Sequence, residues 1–125
     1  MKYVGFEALT WIDSTDLNVS IGVHNELPAN DQADVVYGKL GPRQTLTMHR
    51  HLRTDDGYES FFFFRGANLS VMLKGREVQE IDTSEPFHLT FYGTEPHSIT
   101  NLSDDALVFE IICAPRHVDG EESVL

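Results

Sequence analysis

Eight short runs rich in β-branched and aromatic residues follow one another between residues 35 and 113. They cover 35–40, 44–52, 60–64, 68–73, 76–81, 87–92, 97–102 and 106–113. Turn residues stop seven of them: Gly41-Pro42, Arg53 to Gly57, Arg65-Gly66, Lys74-Gly75, Gly93, Ser103-Asp104-Asp105 and Pro115. Lys74-Gly75 is a two-residue turn that pairs its flanking runs as a hairpin. Strands this short and this closely spaced fold as a sandwich or a barrel. Helical periodicity is poor, with one turn at most over Phe6 to Trp11. Residues 24–34 read as a polar loop, and the acidic stretch from His117 to Leu125 as a fraying tail. At 125 residues without an internal repeat, the chain reads as one all-β domain.

Charge narrows the partners. Nine basic residues face 20 acidic ones, a net of −11 with histidine neutral. That balance argues against nucleic acid and against anionic membranes. Residues 39–76 run the other way: seven basic against three acidic residues give +4 there, against −15 elsewhere. A positive rim of this kind would favour a small anionic ligand. The single cysteine, Cys113, excludes an intrachain disulfide and a thiolate metal cluster, and its apolar run marks it as a core thiol. With neither a signal-type nor a spanning segment, a cytoplasmic protein is expected.

Four residues carry the chemistry. His49 and His51 alternate along one strand, so their side chains leave the same face. Glu59 opens the next strand and returns beside them if the chain reverses at Asp55-Asp56-Gly57. His97 opens a later strand. Three neutral imidazoles and a carboxylate on one barrel face suit a divalent first-row metal with room for substrate.

The arrangement resembles the cupin superfamily. Gly41, His49-Arg50-His51, Glu59 and Gly66 follow its first motif, with the Glu-x6-Gly half intact. Gly93 and His97-Ser-Ile-Thr-Asn101 follow the second. The departures are a longer Gly41-to-His49 spacing, a long loop from Leu52 to Tyr58, and Phe91 where proline is usual. One extra residue also precedes His97. Asp55, Asp56 and Glu95 are outside alternatives as ligands, with Glu59 preferred because it keeps the spacing to Gly66. The resemblance implies a double-stranded β-helix, or jelly-roll barrel, over 35–115. Residues 1–34 would pack on it as a strand and loop segment, and 116–125 would form an acidic tail. It also implies one divalent metal (Fe, Mn, Zn, Ni or Cu) held by His49, His51, Glu59 and His97, and commonly a homodimer.

Strict alternation assigns the remaining side chains. Thr45 and Thr47 share the inward face of His49 and His51, as substrate contacts or as partners of the ligands. Asn101 is expected inward with them or near the mouth. Phe61 and Phe63 follow Glu59 inward as an apolar wall. Phe62 and Phe64 face outward and need cover from a second subunit, the N-terminal segment or a second sheet. Tyr58 and Tyr92 flank the ligand strands as acid, base or lid candidates, or as structural tyrosines. Arg43 and Arg53 are candidates for anion binding. His24, His88 and His117 match no motif. The expected function is a metal-dependent enzyme on a small oxygenated, possibly anionic molecule, with a dioxygenase ahead of an isomerase, lyase or cyclase. The other class is a non-catalytic metal- or ligand-binding module.

Overall fold

The computed structural model describes residues 1–52, 56–74, 76–117 and 122–125, the side chains of 76–78 excepted. A 3-10 turn at Phe6–Ala8 precedes β1 (Thr10–Ser14), β2 (Val19–Val23), β3 (Ala29–Asn30), β4 (Ala33–Leu40), β5 (Thr45–His51) and β6 (Tyr58–Phe63). Then come β7 (Ala67–Leu73), β8 (Arg76–Thr83), β9 (Phe87–Tyr92), β10 (His97–Asn101), β11 (Leu107–Ala114) and β12 (Glu122–Val124). The pairings between these described strands are antiparallel. One sheet runs β1-β2-β4-β11-β6-β9, with β3 added on β4; the other runs β12-β5-β10-β7-β8. This is the all-β jelly-roll architecture.

Every predicted run is a strand, within about two residues at each end. The physical reason is visible in β11. Phe109, Ile111 and Cys113 are buried while Val108, Glu110 and Ile112 are less so, as a period of two demands. Gly66 explains the end of the Glu-x6-Gly motif. Its φ is +77°, and a Cβ there would collide with the Thr83 carbonyl oxygen, so both conformation and space require glycine.

Three regions depart from the expectation. Residues 10–23, expected only as part of an N-terminal strand and loop segment, form a hairpin, β1 with β2. Two residues of the polar loop, Ala29 and Asn30, pair with β4. The tail does not fray at its end: β12 pairs with β5, Glu122 opposite His51 and Val124 opposite His49. Short strands like these have weak local signals and are held by the partner edge they pair with.

Inner faces of both sheets meet in one core. Leu46, Leu69, Val71 and Ile99 from the five-stranded sheet contact Phe61, Phe63, Phe109 and Ile111 from the other. Phe63 stacks on Phe87 at 4.8 Å and meets Phe109 at 5.1 Å, sealing one end of the barrel. Outside, an aromatic row runs Phe6–Tyr37–Phe64–Phe62–His88. The N-terminal segment thus covers part of the outer phenylalanine face, through Phe6.

Candidate metal centre

His49 and His51 sit at the end of β5, and His97 begins the adjacent β10, directly opposite His49. Glu59 belongs to β6 in the other sheet. It therefore meets the histidines across the barrel interior and not beside them on one sheet. Because β5 and β6 lie in different sheets, no hairpin turn joins them. All four side chains are buried, at 1–6% exposure, with donor atoms within 4.8 Å of one another.

Backbone carbonyls fix two of the rings. His49 Nδ1 donates to Thr47 O at 2.7 Å, and His97 Nδ1 donates to Glu95 O at 2.9 Å. Each therefore presents Nε2 to the interior. His97 Nε2 stands 3.2 Å from Glu59 Oε1, and His51 Nε2 stands 3.2 Å from Glu59 Oε2. With His97 Nδ1–H committed to a carbonyl, its Nε2 can approach a carboxylate favourably only with a positive species between them. That species is a second ring proton or a metal ion. Two donors roughly 2.1 Å from a shared ion stand about 3.0–3.4 Å apart for octahedral to tetrahedral angles. The donor set thus fits a divalent transition metal in chemistry and in spacing.

Electrostatics agree. Burial pushes the His49 ring down to about 4, and the neighbouring His97 adds to this, so the ring is neutral and able to ligate. Burial alone would raise the Glu59 carboxyl. Its hydrogen bonds to His51 and His97 outweigh that and hold it well below the usual range. Glu59 also accepts from the Cys113 thiol at 3.5 Å. Phe91, at the position where proline is usual, stacks flat on His97 at 4.1 Å and 6°. The motif departure is therefore a buttress for the ring.

A cavity of about 250 Å³ opens beside His49, His51 and Glu59. Ten of its walls are apolar or thiol side chains, among them Leu17, Val19, Leu46, Phe61 and Phe109. Phe61 is the wall predicted. Phe63 lies a layer deeper in the sealed end and does not line the cavity.

Other predicted site residues stand elsewhere. Thr45 and Thr47 do not point inward with the histidines. The β5–β10 register shifts between Leu46–Ile99 and His49–His97, so β5 carries one extra residue there. That bulge puts Leu46, and not Thr47, on the inner face. Thr45 Oγ1 lies 2.8 Å from Thr100 Oγ1 beside the core. Asn101 is fully buried at the sealed end, donating to the Gly41 and Asp105 carbonyls. Tyr58 and Tyr92 pair across β6 and β9, exposed on the outer face, because each follows or precedes an inward residue. Arg43 is at the far end in an exposed ion pair with Asp104. Arg53 and Asp55 fall outside the described residues. Among the described residues, no lysine or arginine lines the cavity.

His117 and Glu122 are the residues that sequence reasoning missed. Both line the cavity, and His117 Nδ1 lies 3.1 Å from Glu122 Oε1. Together with His51 they form a second group of possible ligand atoms. The His117 backbone N–H donates to Asp34 Oδ1 at 3.3 Å. His117 is thereby tied to β4 of one sheet, while Glu122 pairs with β5 of the other. A histidine in an acidic tail was the one available signal.

No family model and no curated protein matches the sequence. Solved structures do. Pac13 of Streptomyces, described as a unique nucleoside dehydratase, matches over 100% of this chain and 92% of its own, at 13% identity and a TM-score of 0.67. A predicted oxalate decarboxylase of Thermotoga maritima matches over 91% and 99%, at 14% identity and 0.67. A Klebsiella pneumoniae protein with a double-stranded β-helix domain matches over 82% and 87%, at 14% identity and 0.60. The shared fold is the cupin double-stranded β-helix.

Proposed function

We propose that this chain, which has the cupin fold, is a metal-dependent enzyme acting on a small oxygenated molecule inside the barrel. The observation that carries this is the buried, converging His49, His51, Glu59 and His97 set, three of which line an accessible, mostly apolar cavity. Buried titratable groups facing a cavity cost stability and mark functional sites. When bound, a divalent metal would supply Lewis acidity with open positions for substrate oxygens and, if it is iron, reactivity towards dioxygen. The protein's part is to hold the donors through Thr47, Glu95 and Phe91, and to exclude water with the apolar walls.

Within this class a dioxygenase comes first, since an apolar cavity admits dioxygen without desolvation. A lyase, isomerase or cyclase is the second reading, favoured by the His117–Glu122 pair at the mouth, an imidazole oriented by a carboxylate. A pair of copies meeting over the outer Phe62–Phe64 face would make the functional unit a homodimer.

Metal analysis of the purified chain, then oxygen uptake with diketones, catechols, thiols and sugar acids, tests the proposal. Iron-dependent uptake with one substrate supports the first reading. Turnover without oxygen supports the second. Bound metal with no turnover on any of them would leave a binding module and overturn the enzyme.

A further inference from the structure

The cavity walls say more about the ligand than the donor set does. Apart from the donors His49, His51 and Glu59, its polar lining side chains among the described residues are His117 and Glu122. These two are partly buried, at 34% and 19% exposure, and paired with each other. A few placed polar groups in an apolar pocket set a ligand's orientation and specificity. The formal charges facing the cavity are carboxylates, Glu59 at the base and Glu122 at the mouth, with no cationic side chain among the described lining residues. The basic segment does not reverse this. Arg43 is at the sealed end, and Arg50 is exposed, its side chain leaving the face of β5 opposite to His49 and His51.

We infer that His117 and Glu122 form a polar anchor at the cavity mouth, selecting a small molecule with an apolar body and a neutral or cationic hydrogen-bond donor at its outer end. This rests on the metal-dependent reading above, since the other end of that molecule must offer oxygens to the buried donor site. Glu122 is the chief selector. A carboxylate has about four acceptor positions, and His117 takes one. A hydroxyl or ammonium group at the mouth gains a charge-assisted hydrogen bond there. A carboxylate group at the same place meets like charge in a poorly solvated site. The anchor exists because β12 pairs with the ligand strand: Glu122 opposite His51, and Leu125 N donating to Met48 O at 3.1 Å. The expected anionic ligand is thus replaced by a neutral or cationic one.

Three catechols with the same chelating head test this on the zinc-loaded full-length chain under nitrogen, by titration calorimetry. They are 4-ethylcatechol, dopamine and 3,4-dihydroxyphenylacetate, which differ in the group that would face the mouth. Dopamine is expected to bind tightest and the acid weakest, about tenfold or more apart. Glu122→Gln should erase dopamine's advantage while zinc stoichiometry stays unchanged, and His117→Ala should reduce it, a second variant in case the first misfolds. Equal affinities, or tightest binding of the acid, would overturn the anchor alone. Failure of zinc to bind, or of every catechol to bind the zinc-loaded chain, would overturn the metal-enzyme reading and the anchor with it.

Discussion

The two ends of the barrel bury polar side chains in opposite ways. At the sealed end, Asn101 is at zero exposure and fully employed. Its amide donates to Gly41 O at 3.0 Å and Asp105 O at 2.8 Å, and its oxygen accepts from Ser103 N at 3.0 Å and Ser103 Oγ at 2.8 Å. Those bonds tie two loops over the Phe63 layer. At the open end, His97 and Glu59 are as deeply buried, but they face each other through atoms that both present lone pairs unless a positive species intervenes. A buried polar group satisfied by the chain itself is architecture. One that needs an added proton or metal ion to be satisfied marks a site. The same strands, β5 and β10, run from one condition to the other.

The contrast can be broken at its strongest point first. His51→Ala or Glu59→Gln should lower metal affinity by several orders of magnitude, read by equilibrium dialysis. The metal-free Glu59→Gln form should melt within about 1 kcal/mol of wild type or above it, because a costly buried charge is gone. A large destabilisation of this metal-free variant would show that the donor set is architecture after all. Asn101→Ala is the mirror image. It should cost about 3 kcal/mol in urea unfolding, through lost hydrogen bonds and stranded carbonyls, with metal affinity nearly intact.

Acid should sharpen the difference. The His49 ring is pushed down to about 4 in the folded chain, against about 6.5 unfolded. Between those values the unfolded chain binds the extra proton, so folding stability falls as pH drops. The loss for the metal-free protein reaches up to about 3 kcal/mol by pH 4. His49→Gln should remove most of that slope. A smaller effect is expected from Phe91→Leu: loss of the ring stacked on His97 should weaken metal binding several-fold and cost about 1 kcal/mol. The smallest belongs to Arg43→Ala and Tyr92→Phe, on exposed positions away from the cavity. Both should leave stability within about 0.5 kcal/mol and metal affinity unchanged. Loss of activity in Tyr92→Phe would restore the outer face to the site.

Much of this was legible in the chain because alternation and spacing are local properties. Phe109, Ile111 and Cys113 declare the face of β11 by their period of two. His49-x-His51 and Glu59-x6-Gly66 set which residues can converge, and Gly66 is demanded by its own backbone. What a neighbouring strand decides could not be read from within a segment. The extra residue in β5 shows only as a register shift against β10, and it exchanges Thr47 for Leu46 on the inner face. Glu59 meets the histidines across the barrel because β6 joins the opposite sheet. Glu122 and His117 reach the cavity because β12 finds an open edge on β5, a long-range pairing that a polar tripeptide does not announce. The sequence by itself determined the strands and the donor residues. Tertiary structure alone decided what surrounds those donors, because side-chain facing and cavity walls depend on hydrogen-bond partners distant in the chain.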